Sequence, residues 1–180
     1  MYVALLRGIN VGGNNLIKMA ELKRCFERQG FDNVSTYIAS GNVLFEASAP
    51  ASALVPKIER SLSTTFGYTA QVVLRSKKQL VTVVERAPAG FGAQPAKYRN
   101  DVVFLKEPLT AQEALKSVVT RPGVDEVHAG NGVLYFSRLV SKVSQSLINK
   151  LVGKPVYQSM TIRNWNTTTK LLALMQQSER

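Results

Sequence analysis

Two stretches of this chain repeat one another, ASGNVLF at 39–45 and HAGNGVLYF at 128–136. A second pair, QVVLRS at 71–76 and SMTIRN at 159–164, repeats the order strand, arginine, polar cap, helix. Between these landmarks the residue pattern runs through the same cycle twice. YVALL (2–6) is a short apolar run that reads as a buried strand. Met19, Leu22, Cys25 and Phe26 then fall on one helical face that stops at Gly30. The segment 34–47 gives two strand-like runs around Ser40, Gly41 and Asn42, the composition of a hairpin turn. A helix over 53–66 follows, with Leu54, Ile58, Leu62 and Phe66 in register, and then a strand carrying Val72 and Leu74. The order is β-α-β-β-α-β.

The second cycle follows a helix that begins at Ser76, with Gln79 completing a capping box, and a connection from Ala87 to Asn100. DVVFL (101–105) is a strand, and Thr110 with Glu113 caps a helix expected to carry Leu115, Val118 and Val119. The second hairpin turns around Gly130 to Gly132. A helix over 142–151, a strand over 156–163 and a closing helix with Leu171, Leu172 and Met175 complete the copy. The order is that of the split βαβ, or ferredoxin-like, unit. The expected fold is therefore α+β: a tandem duplication of a ferredoxin-like unit, each copy followed by a helix. The expected subdomains span 1–86 and 87–180, packed as one globular unit. Right-handed crossovers make the strands flanking the first helix of each copy parallel. That brings the loop RGINVGGNN (7–15) and the hairpin turn at 39–42 to one end of the first sheet.

Charge and composition narrow the function classes. Lys and Arg number 23 against 12 Asp and Glu, a formal charge of +11. The excess is spread along the chain with no basic tail. Such a charge favours an anionic partner, nucleic acid or a phosphate-bearing small molecule, although solubility alone also accounts for it. Cys25 is the only cysteine and His128 the only histidine. A disulfide framework within the chain, a conventional zinc site and a His-pair mechanism are therefore disfavoured, and no metal or cofactor is expected. Cys25 reads as core, and His128 as structural in preference to a general base. Nothing approaches 18 consecutive apolar residues, and no basic region precedes an apolar leader, so the expectation is a cytoplasmic protein without membrane contact.

Gly8 to Gly13 has the spacing of a phosphate-binding loop, but Asn14 and Asn15 stand where that motif needs Lys and a hydroxyl. Nucleotide hydrolysis by this loop is disfavoured. An anion could still be held by Arg7, Asn10, Lys18 and the amides of Gly12, Gly13, Asn14 and Asn15, with Ser40 and Asn42 brought near by topology. Equally, the glycines and asparagines could serve the turn alone. The ending RNWNTTTK (163–170) has the same double reading. Arg163, Asn164, Trp165, Asn166 and Thr167 crowd donors at a helix start and could hold a phosphate with a ring stacked on Trp165. Alternatively Asn164 or Asn166 is an N-cap and Trp165 a core aromatic.

The opening segment 2–45 and the closing motif MTIRNWNTTTKLL (160–172) resemble the bacterial family called domain of unknown function 1697. The resemblance implies a duplicated ferredoxin-like α+β fold and no established activity. Family members commonly carry Lys after the second glycine of the loop, where this chain has Asn14, and Lys18 is the nearest substitute. Three functions follow from the residues: a binding module for an anionic ligand, an enzyme acting on a phosphorylated or carboxylated metabolite, or a partner-binding protein without a ligand. Neither NVLFEA nor GVLYFS matches the aromatic motif of RNA-recognition sheets, so Phe45, Tyr135 and Phe136 read as core.

Overall fold

The computed structural model describes residues 1–178. Its strands and α-helices are β1 (Tyr2–Leu6), α1 (Met19–Glu27), β2 (Asp32–Tyr37), β3 (Asn42–Glu46), α2 (Ala51–Phe66), β4 (Val72–Ser76) and α3 (Lys77–Glu85). They continue with β5 (Tyr98–Leu105), α4 (Ala111–Leu115), β6 (Asp125–Gly130), β7 (Val133–Leu139), β8 (Met160–Asn164) and α5 (Trp165–Gln177). The chain divides into two compact units, Met1–Leu80 with the segment from Leu171, and Val81–Lys170. The division falls within α3, after Leu80, and within α5, after Lys170.

Each unit is mixed α and β, built on a four-stranded antiparallel sheet. The first has the order β2-β3-β1-β4, the second β6-β7-β5-β8. Their registers repeat as well. Val3 lies opposite Leu44 and Arg75 in the first sheet, and Val102 lies opposite Tyr135 and Arg163 in the second. The hairpin turns close on the central strands by the same bond, Leu6 N–H to Gly41 C=O at 2.8 Å and Leu105 N–H to Gly132 C=O at 3.0 Å. Gly41 and Gly132 are thus the equivalent turn residues.

In the first unit, α1 and α2 cover one face of the sheet because their buried positions recur at helical spacing: Leu22, Cys25 and Phe26, then Leu54, Ile58 and Leu62. They meet Ala4, Leu6, Val43, Phe45, Val72 and Leu74 from the sheet. The ring of Phe45 stands 5.3 Å from Phe26 and 4.6 Å from Phe31, so an aromatic cluster fills this core. Burying each such ring stabilises the unit by about 2–3 kcal/mol. In the second unit Val103, Leu105, Leu134, Phe136 and Met160 face Ala111, Ala114, Ile148 and Leu151. The opposite face of each sheet is also shielded from water: Val3, Leu5 and Leu44 in one, Val102, Phe104 and Tyr135 in the other, are all at most 1% exposed. Burial on both faces explains why these strands read as continuous apolar runs.

Three expected elements take a different form. The helix expected at 142–151 is a series of 3₁₀ turns at Val140–Gln145 and Ile148–Leu151. The buried Asp125 carboxylate accepts the Leu147 N–H at 2.9 Å, and Ser146 adopts extended backbone, so a continuous helix ladder cannot form there. The strand expected from residue 156 begins at Met160, because Pro155 opens another 3₁₀ turn. The helix after Thr110 ends at Leu115, leaving Val118 and Val119 beyond it. The β-branched run at 118–120 and Pro122 do not sustain it. Its capping box is present on both sides, Glu113 N–H to Thr110 Oγ1 at 3.2 Å and Thr110 N–H to Glu113 Oε2 at 2.9 Å.

Candidate functional site

The connection from β1 to α1 occupies residues 7–18, whereas the corresponding connection from β5 to α4 occupies only 106–110. The long loop is therefore not demanded by the strand-to-helix crossing. It folds as a small hairpin of its own. Gly12 (φ +59°) and Gly13 (φ +80°) are both left-handed, as a type I′ turn needs, and Asn14 N–H donates to Val11 C=O at 3.1 Å. Asn10, itself left-handed at φ +52°, holds the base of the loop. Its side-chain amide donates to Ile17 C=O at 3.0 Å and Ala39 C=O at 2.8 Å, and its Oδ1 accepts Ile17 N–H at 2.8 Å. Asn15 Nδ2 donates to Gly8 C=O at 2.9 Å.

The Asn10–Ala39 bond brings the loop and the 39–42 hairpin together at one end of the first sheet. Gly41 packs so tightly there that a Cβ would lie 2.7 Å from Ile9 Cδ1, which with its φ of +79° makes glycine necessary. Asn42 is wholly buried and donates to Tyr37 C=O and Ser40 Oγ, as a turn-holding residue does. Gly12, Gly13, Asn14, Asn15 and Lys18 are exposed, Arg7 is half-buried, and Lys18 occupies the position before α1 without a side-chain cap. This end thus combines two cations, an exposed turn and internally committed asparagines.

The corner at 163–167 is built differently. Arg163 is buried and donates to Thr161 Oγ1 and Ile162 C=O, both at 2.9 Å; burial lowers its pKa to about 10. Asn164 is the N-cap of α5, its Oδ1 accepting Asn166 N–H at 3.0 Å, while its amide donates to Asn100 C=O at 3.2 Å. Trp165 packs edge-on with Phe91 at a centroid distance of 5.0 Å, directly against the backbone of Gly92. Asn166 is exposed and Thr167 half-buried.

What the corner supports is a cleft of about 210 Å³ in the second unit, lined by Pro88, Ala89, Gly90, Phe91, Gln94, Tyr98, Asn100, Glu126, His128 and Ser137. Asn164 bonds to Asn100, and Trp165 props Phe91. The cleft lies on one face of the sheet because alternation along β5, β6 and β7 turns Tyr98 and Asn100, Glu126 and His128, and Ser137 the same way. The register makes Glu126, Ser137 and Asn100 a row across three strands. Asn100 is buried and donates to Ser137 Oγ at 2.7 Å. Glu126 and His128 are exposed, and among the described residues neither side chain has a hydrogen-bond or ion-pair partner. A second cavity of about 170 Å³ adjoins it, sharing Tyr98, Glu126 and Ser137 and adding Lys97, whose ammonium stands 5.2 Å from the Tyr98 ring centroid. Among the described residues no group of three or more His, Cys, Asp or Glu side chains is placed to hold a metal ion, and no helix is long and apolar enough to cross a membrane.

A family model described as "Protein of unknown function (DUF1697)" matches residues 1–135. The chain belongs to the DUF1697 family. A solved structure described as that of the conserved bacterial protein SP0830 from Streptococcus pneumoniae is similar to this chain, with a TM-score of 0.83 and 28% identity over 96% of each chain. No curated protein matches it.

Within the DUF1697 span lie the loop, the hairpin turn and the Tyr98, Asn100, Glu126 and His128 side of the cleft; Ser137 and the 163–167 corner fall after it. Sequence reasoning did not select Gln94, Tyr98, Asn100, Glu126 or Ser137 as site residues. No motif joins them: only the cross-strand register of this DUF1697 chain makes Tyr98, Asn100, Glu126 and Ser137 neighbours, and Gln94 joins them from the loop before β5, its C=O accepting the Tyr98 N–H at 2.9 Å. The lone His128 was the one available signal, and it lines the cleft from an exposed position on an edge strand.

Proposed function

We propose that this protein binds an anionic, ring-bearing ligand of the nucleotide type, with the ring in the second-unit cleft and the phosphate outside it. The observation that carries this reading is the composition of the cleft. Aromatic or heteroaromatic side chains of Phe91, Tyr98 and His128 stand beside a hydrogen-bonding row of Asn100, Ser137 and Glu126. A volume of about 210 Å³ is below the roughly 300–1,000 Å³ of pockets that enclose a whole drug-sized ligand. It suits one ring system rather than a complete nucleotide. The unpaired Glu126 carboxylate disfavours phosphate inside, whereas Lys97 at the neighbouring cavity and the +11 charge favour phosphate at the rim. Stacking on aromatic side chains with electrostatic tracking of phosphates is how single-stranded nucleic acids are held without sequence preference.

A second seat for phosphate is the loop end of the first unit, formed by Arg7, Lys18 and the exposed amides of Gly12 and Gly13, with Asn10 and Asn15 as its frame. The length of this loop beside its short counterpart favours that reading. The shared strand order and register support descent of the two units from one duplicated ferredoxin-like ancestor.

Titration of 15N-labelled protein with mononucleotides and single-stranded oligonucleotides at low and moderate salt tests the proposal. Shifts should concentrate at Tyr98, Glu126, His128 and Ser137, and Tyr98→Ala should weaken binding about ten-fold or more. Shifts confined to residues 7–18 and abolished by Arg7→Ala would move the site to the loop. Absence of binding at low salt would end the nucleotide reading.

A further inference from the structure

Resting on the nucleotide reading, we infer that the cleft selects guanine. The hydrogen-bonding polarity of Ser137 in this row is set by Asn100. Asn100 is 6% exposed and spends a side-chain N–H on Ser137 Oγ at 2.7 Å, so the Ser137 hydroxyl has accepted one bond and its proton is directed elsewhere. Ser137, which lines the cleft, can thereby donate that proton to a ligand there. Its direct cross-strand partner is Glu126, and opposite residues on one face of an antiparallel pair hold their Cβ atoms about 4.5–5.5 Å apart. Glu126 lines both cavities, and its carboxylate has no partner among the described residues. When ionised it is acceptor-only and can take two parallel N–H bonds.

Within the row, the Ser137–Glu126 pair thus presents one donor beside a double acceptor. Of the four common bases, only guanine offers the complement along a single edge: the O6 acceptor, then the adjacent N1–H and N2–H donors. Adenine and cytosine can give the carboxylate one amino group and accept from the hydroxyl at one ring nitrogen, and uracil can give one imide N–H. Guanine makes one more charge-assisted hydrogen bond than any of these. The preference comes from that extra bond to a charged acceptor, which an analogue lacking the second donor cannot make.

Isothermal titration of the full chain with GMP, IMP and AMP reads the difference directly. GMP should bind roughly ten-fold or more tightly than AMP, with IMP, which lacks the N2 amino group, in between. Glu126→Gln, an exposed position whose fold is checked by thermal denaturation, leaves one neutral acceptor beside a new donor and should bring GMP and AMP to within about two-fold, with GMP losing the more. Equal affinities in the wild type, or an order unchanged by Glu126→Gln, overturn guanine selection and leave nucleotide binding standing. Failure of all three to bind overturns both. A preference kept by Glu126→Gln but lost in Arg7→Ala assigns recognition to the loop and likewise overturns the inference.

Discussion

Replacing Asn10 should unfasten the long loop, and its cost can be worked from the bonds it makes. Three hydrogen bonds are lost in Asn10→Ala: those to Ile17 C=O, to Ala39 C=O and from Ile17 N–H. At about 0.5–1.5 kcal/mol net each, they are worth roughly 2–4 kcal/mol, toward the upper end because Ile17 is buried and its N–H would be left unpaired. A further ~1 kcal/mol follows from holding Ala at φ +52°, a conformation that costs an ordinary L-residue about 1–2 kcal/mol. Asn10→Gly loses the same bonds without that strain, so it should be less destabilised than Asn10→Ala by about 1 kcal/mol. Urea unfolding followed by far-UV circular dichroism gives the two free energies, and amide exchange at Ile17 reports the bond itself. Protection of the Ile17 amide should fall in both variants. If both variants stay within about 0.5 kcal/mol of wild type with Ile17 still protected, the loop is held by something other than Asn10 and the reasoning fails.

Gly92→Ala should disturb the packing of Trp165 behind Phe91, which lines the cleft. Its Cβ would lie 2.1 Å from Trp165 Cδ1 at a φ of +81°, so the indole must shift, and a loss of about 2–4 kcal/mol is expected together with a changed emission maximum from the chain's single tryptophan. Unchanged fluorescence and stability would refute that packing. The capping box makes a pH prediction: hydrogen bonds from the Thr110 hydroxyl and then its backbone N–H lower the Glu113 pKa below 4.5. A depressed carboxyl pKa contributes stability that is present above the unfolded value and lost as pH falls through the folded one. Thermal melts should therefore show Glu113→Gln closing on wild type below pH 4, and a constant gap between the two from pH 7 to pH 3 would count against the box.

The sequence by itself carried the secondary-structure order, the duplication of its pattern, the aromatic and aliphatic core and the turn chemistry. Period-2 and period-3.6 burial, capping residues and glycine turns are local signals, and residues such as Leu54, Ile58, Leu62, Gly41 and Thr110 express them within a few positions. The same local reasoning failed at 142–151, where the buried carboxylate of Asp125, distant in sequence, captures the Leu147 amide and breaks a helix that periodicity alone allows. It also could not tell whether Arg163 faces solvent, since its burial depends on what covers a sheet face. The cleft lies furthest from sequence reasoning. Tyr98, Asn100, Glu126 and Ser137 sit on three strands and become neighbours only through the pairings of β5, β6 and β7. A one-residue slip in either pairing would turn one member of the row to the opposite face, and so tertiary register, rather than composition, decides that a site exists there.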